Sequence, residues 1–207
     1  LSALRHLKVI FFEHATNPAG LIDEIILYAT KARKQGIVSL ETEAAGIGDP
    51  FLRKAINLAV DGTDLEELKA MMELEIEQTE HHAEAAAKVF ESGGGYSPTI
   101  GIIGAVLGLI QVMKNLANIE EVGHGIAVAF VATVYGVAVA NIFLLPAAAK
   151  IRSRAARMTK MHELALEGVI GMVEGSNPKL IRAKLEAYLK SEPAKSSGGP
   201  RAHRAAA

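Results

Sequence analysis

Two stretches of this chain carry no Asp, Glu, Lys or Arg, and they limit what it can fold into. Gly93 to Met113 runs for 21 residues and Val122 to Ala149 for 28, the second interrupted only by His124. As helices they measure roughly 31 and 42 Å, against about 30 Å of bilayer hydrocarbon. Each is long enough to cross a membrane, the second with length to spare. The alternative is a buried pair in a soluble bundle, which would need an unusually large all-apolar core. Composition favours the membrane. The chain is 50% hydrophobic and 22% charged, with a mean hydropathy of +0.23, so its apolar residues must be bunched.

Charge placement orients the pair. Between the stretches lie eight residues, Lys114 to Glu121; after the second come Lys150, Arg152, Arg154, Arg157 and Lys160. The positive-inside rule places that basic run in the cytoplasm and the short connector on the far side. A helical hairpin entering from the cytoplasm is expected at 93–149, with the connector near 114–121.

The remainder reads as amphipathic helix, so the expected fold is all-α, with a cytoplasmic helical region over 1–92 and further cytoplasmic helices over 150–192. Leu21 to Lys34 has Ile22, Ile25, Ile26 and Ala29 at helical spacing, and Gly36 would end it. Asp49-Pro50 should open a short helix. Thr63 to Glu66 reads as a capping box for a long charged helix reaching Glu91. Gly93-Gly94-Gly95 is expected to break that helix before the membrane, and Asn177-Pro178 to start the last one. The tail 193–207 lacks large apolar residues and is expected to be disordered. The chain opens at Leu1 inside an apolar pattern (Leu4, Leu7, Ile10, Phe11) with no signal-peptide features, so earlier residues are expected to precede it.

Several functions are disfavoured. Lys plus Arg number 22 against 23 Asp plus Glu, a net charge of -1 that argues against a nucleic-acid binder. Without cysteine there is no thiolate metal site or thiol nucleophile. His81 and Glu84 share a helix face, but the HExxH arrangement is missing, so a solvated face is expected and no metal. Gly93-Gly-Gly lacks the Lys-Ser/Thr of a phosphate loop. No cofactor is expected and no catalytic constellation appears, so the chain does not read as an enzyme. Neither apolar stretch holds an Asp, Glu, Lys or Arg, so carrying a proton through the hydrocarbon would need an ionisable group from elsewhere.

Four ordered pieces carry a resemblance: Tyr96-Ser-Pro98-Thr-Ile-Gly-Ile-Ile-Gly-Ala105-Val-Leu-Gly108, Ala129-Phe-Val-Ala-Thr133-Val-Tyr-Gly136, Phe143-Leu-Leu-Pro146 with the basic run behind it, and Arg33-Lys-Gln-Gly-Ile-Val-Ser-Leu-Glu41. Together they resemble the MotA branch of the MotA/TolQ/ExbB proton-channel family, whose MotA-like chains begin with two further membrane helices. The resemblance implies a subunit of the flagellar stator in the bacterial inner membrane, contacting lipid on its outside. It implies a homo-oligomeric ring, a pentamer, around a MotB-like single-span partner that supplies a membrane aspartate. Ion flow would drive the ring against a FliG-like rotor protein of the flagellar switch. A TolQ- or ExbB-like energiser of the envelope is the neighbouring alternative, and a passive membrane scaffold a more distant one.

For individual residues the ordinary reading stands beside the implied one. Thr133 could bond back to the carbonyl one turn earlier, or present its hydroxyl to a partner carboxyl or water; the resemblance matches it to the family's pore threonine. Pro98 and Pro146 could be passive kinks, with Ser97 capping a helix that starts at Pro98; they match prolines implied in torque generation. Gly101, Gly104, Ala105 and Gly108 form a small face suited to close helix packing. Ala105 stands where sodium-driven relatives tend to carry Thr, and its methyl group offers no oxygen to a bare cation, which implies protons. Arg33, Glu41 and Glu75 would otherwise be solvated surface; the resemblance implies a rotor interface. Gln111 and Asn141 are candidates for hydrogen bonds between helices.

Overall fold

A computed structural model describes residues 17–114 and 116–190, the side chain and local structure of residue 115 being left aside. The expected disordered tail and the apolar opening pattern lie outside the described residues. All regular structure among them is helical. In chain order these are α1 (Pro18–Gln35), a 3-10 turn (Ile37–Leu40), α2 (Glu41–Ala44), α3 (Pro50–Val60), α4 (Leu65–Lys114), α5 (Ile119–Ala138), a π-helical segment (Val139–Leu144), α6 (Leu145–Val173) and α7 (Pro178–Lys190). Glu75–Thr159 form one compact unit; residues 17–74 with 160–190 form another.

Helix starts follow the expected chemistry, in which a side-chain oxygen accepts from otherwise orphaned amides. Asn17 accepts from Ala19 N–H at 3.1 Å, Asp49 from Phe51 and Leu52 N–H at 2.8 and 3.0 Å, and Asn177 from Lys179 N–H at 3.0 Å. The capping box at Thr63 is not formed. Asp64 takes the cap, accepting from Glu66 N–H at 2.9 Å, one residue later than the sequence pattern implies. Gly36 ends α1 at φ 85°, a left-handed conformation open to glycine, and its N–H donates to Ala32 O.

The second unit has an ordinary water-excluding core. Ile25 of α1, Leu52 and Ile56 of α3, Leu68 and Met72 of α4, Leu164 and Val169 of α6 and Leu185 of α7 are all fully buried. Phe51 stacks on His162 with ring centroids 4.1 Å apart. Gly168 admits α1 closely; a Cβ there would lie 2.6 Å from Ile25 Cγ2.

The first unit is inverted. Phe130 and Phe143 are 70% and 67% exposed, and Ile102, Ile103, Val106, Leu107, Val134 and Ile142 are exposed with them. Water would not tolerate such a surface, and α4 and the α5–α6 run are each long and apolar enough to cross a membrane.

The expected break at Gly93-Gly94-Gly95 does not occur. Helix α4 continues for 50 residues through the three glycines and through Pro98. Glycine is a poor helix former in water, but a helix entering hydrocarbon must satisfy its backbone internally. The glycines make room for neighbours instead: a Cβ at Gly93 would meet Leu144 Cδ1 at 3.6 Å, and one at Gly94 would meet Leu145 Cδ2 at 2.7 Å.

Asp49→Ala should remove the α3 cap and lower stability by about 0.5–2 kcal/mol. Thermal unfolding of the purified full-length protein checks this: the melting temperature should fall, and Asp49→Asn should recover most of the loss.

Candidate functional site

The two apolar helices meet along faces of small residues. On α4 these are Gly101, Gly104 and Gly108, three or four residues apart and so on one side. On α5 the facing positions are Ala129, Ala132, Thr133 and Gly136. A Cβ at Gly101 would lie 2.9 Å from Ala132 O and 3.3 Å from Thr133 Cα. A Cβ at Gly136 would lie 2.8 Å from Ser97 O and 2.9 Å from Gly101 Cα. Further along, a Cβ at Gly104 would lie 3.2 Å from Ala132 Cβ and one at Gly108 would lie 3.3 Å from Ala129 Cβ. Backbone lies against backbone, as small residues permit in helices packed within lipid.

Ser97 fastens one end of this seam. Its hydroxyl donates to Gly136 O at 2.8 Å, linking α4 to α5 across 39 residues of sequence. Ser97 is therefore not the cap of a helix starting at Pro98, because Pro98 lies inside α4. Pro98 has no N–H to give Gly94 O, the carbonyl one turn back.

Pro146 is the second residue of α6, directly after the π-helical segment. There Leu145 N–H donates to Ala140 O, five residues back. Widening the turn is one way an apolar helix absorbs the donor that proline lacks. Asn141 Nδ2 donates to Val137 O at 2.9 Å, a local bond rather than one between helices. The sequence signal for the π segment was Pro146 itself, but proline marks a disturbance without saying which kind.

Thr133 is half-buried within the seam, and its Oγ1 donates to Ala129 O at 3.3 Å. That is the back-bond of the ordinary reading, though a long one. It commits the hydroxyl proton and leaves oxygen lone pairs able to accept. Ala105 is half-buried beside Gly104.

Of the charged positions, Arg33 is exposed in the last turn of α1 and Glu41 exposed at the start of α2. Their neighbours Lys31 and Glu43 pair at 2.6 Å, whereas Arg33 and Glu41 form no ion pair among the described residues. Glu75 belongs to the other unit. It is half-buried on α4, its backbone oxygen accepts from Thr79 Oγ1 at 2.8 Å, and it borders a groove of about 520 Å³ with Gln78, His82, Ile151 and Met158. Glu84, weighed as a ligand beside His81, instead accepts from Arg152 at 2.8 and 2.9 Å. Sequence reasoning missed that pair, since nothing local connects residues 68 positions apart.

A glycine-zipped hairpin with an apolar exterior defines a membrane-embedded helical subunit built for close packing. Comparison with known proteins narrows the class. The sequence pattern of the MotA/TolQ/ExbB proton channel family matches residues 43–164, more than half of the chain. Motility protein A of Bacillus subtilis is 38% identical over 189 residues, covering 89% of this chain and 69% of the relative. Motility protein A of Helicobacter pylori is 35% identical over 196 residues, covering 94% and 76%. The structure of C. jejuni MotAB superposes with a TM-score of 0.87 at 34% identity, covering 93% of this chain and 76% of that one. The chain belongs to the MotA/TolQ/ExbB proton channel family.

Gly136→Val should force the hairpin apart, because Ser97 O and Gly101 Cα occupy the space its side chain requires. Overpacking of this kind costs about 1–3 kcal/mol, and more where backbone rather than side chain must move. The amount of assembled full-length complex in membranes should fall sharply, whereas Val137→Leu on the exposed side should leave it unchanged.

Proposed function

We propose that this chain is the ion-conducting subunit of a flagellar stator, a MotA-type protein of the bacterial inner membrane. Several copies, five on the family pattern, surround a MotB-like single-span partner and turn ion flow into torque on a FliG-like rotor protein. The observation that carries this reading is the seam itself. Thr133 is a hydroxyl held within a tight seam between two apolar stretches, Gly93 to Met113 and Val122 to Ala149, that have no Asp, Glu, Lys or Arg of their own, so the ionisable group must come from a partner.

The division of labour follows from chemistry. The partner's aspartate takes up and releases the ion, and Thr133 Oγ1, its proton committed to Ala129 O, accepts a hydrogen bond from the protonated carboxyl or from water. Ala105 supplies a methyl group where a sodium path would use oxygen, so the transported ion is the proton. Pro98 and Pro146, each beside altered helical geometry or a missing donor, are where the spans yield when the partner's charge changes. Arg33 and Glu41, exposed and without ion-pair partners among the described residues, contact the rotor, and Glu75 of the other unit is a further rotor contact.

In the full-length protein with its partner, Thr133→Val keeps the β-branch and nearly the volume but removes the oxygen. A buried group losing one hydrogen bond loses about 1–3 kcal/mol. If that falls on the rate-limiting step, proton flux and torque drop roughly 5- to 150-fold. Thr133→Ser, which retains the oxygen, should keep most of the activity. Equal torque for wild type and Thr133→Val would return Thr133 to a back-bonded packing residue.

Ion choice is checked separately. Cells relying on this stator should swim in sodium-free medium as long as the proton-motive force is held constant. Loss of motility on sodium withdrawal alone would overturn the role given to Ala105.

A further inference from the structure

Three charged groups sit just beyond the inner ends of the apolar stretches, and the ion path makes no use of them. Glu84 and Glu91 lie seven residues apart on α4, so they share a face and are separated by about 10.5 Å along the helix. Arg152 of α6 reaches both. Its Nε donates to Glu84 Oε2 at 2.9 Å and its Nη2 to Glu84 Oε1 at 2.8 Å, a two-pronged contact, and Nη2 also donates to Glu91 Oε2 at 2.6 Å. A guanidinium has enough donors in a fixed plane to hold both carboxylates at once.

Stability is a poor explanation for this arrangement. Arg152 is 38% exposed and both glutamates 51%, and exposed ion pairs contribute little to folding. Geometry offers a better one. Around it α4 and α6 bury Ala86, Ala87, Ala148 and Ile151, three of the four being short. Above it Gly93 and Gly94 receive Leu144 and Leu145. Short alanines within this stretch offer little resistance of their own to one helix sliding along the other. Arg152 between two carboxylates does resist, because a slip of one turn, about 5.4 Å, carries it away from one of them.

We propose that Arg152 is a positioning residue that locks α4 and α6 in axial register, with Glu84 and Glu91 as its two stops. A shift begun at Pro98 or at the π segment and Pro146 then moves both helices together and is not lost as slip between them. This rests on the stator reading given above. The lock is insensitive to mild acid. Hydrogen bonds from Arg152 hold both carboxyls below their ordinary value of 4.5, so both remain charged near neutrality and the tie is lost only as pH falls through those lowered values.

The test uses the full-length protein and its partner in a motile host lacking its own stator. Proton flux, motor torque at high load and the amount of membrane complex are measured together. Arg152→Gln should leave flux per complex near wild type and lower torque per proton by about threefold or more. Arg152→Lys, which keeps the charge but not the fork, should fall between. Glu84→Gln with Glu91→Gln should match Arg152→Gln, and adding Arg152→Gln to that pair should change nothing further, as expected for members of one interaction. An unchanged ratio of torque to flux in Arg152→Gln, or losses that add, would overturn the lock. Wild type supplies the control: if it gave neither flux nor torque, the stator reading itself would fall, whereas a working wild type with an unaltered variant removes only the lock.

Discussion

Between Gly101 and Gly136 the backbones of α4 and α5 touch with no side chain between them. A methyl group on either residue would lie within 3 Å of a carbonyl oxygen on the other helix. In lipid no hydrophobic force pushes two apolar helices together, so contact must come from dispersion and from what the backbones offer each other. The seam supplies both, and Ser97 adds a hydrogen bond across it. Thr133 owes its place to that contact.

Glycine and proline behave here as they would not in water. Three consecutive glycines and Pro98 lie within one helix of 50 residues, and Pro146 follows a turn that has widened to the π form. An aqueous helix offered these residues would fray or end, because water satisfies the freed carbonyls. Where water is scarce the chain keeps its internal bonds, and the defects persist as points of lower stiffness. A helix pair with such points at defined heights, held together by a glycine seam above and an arginine tie below, is suited to converting a small electrostatic event into movement.

How much of this was legible in the sequence depended on whether the signal was local. The caps at Asp49 and Asn177 and the stop at Gly36 were readable, since each acts within four residues of itself. The cap at Asp64 was misassigned to Thr63 because both residue types fit the same pattern one position apart. Gly93-Gly94-Gly95 was misread as a break, since its meaning depends on Leu144 and Leu145, which arrive from another helix. The small face at Gly101, Gly104 and Gly108 was visible, but its fit against Ala132, Thr133 and Gly136 needed coordinates. Arg152 looked like one charge among five in a basic run, and its two carboxylates could be found only in space.

The central claim is that the seam presents Thr133 to a charge carried by a partner. Site-directed cross-linking in the full-length complex tests it most directly, with one cysteine at position 133 and one beside the partner's membrane carboxylate. Val131 is the control, two residues away and hence about 200° around α5. The account predicts rapid cross-linking from position 133 and little from position 131. Efficient cross-linking from position 131 with none from position 133 would contradict it.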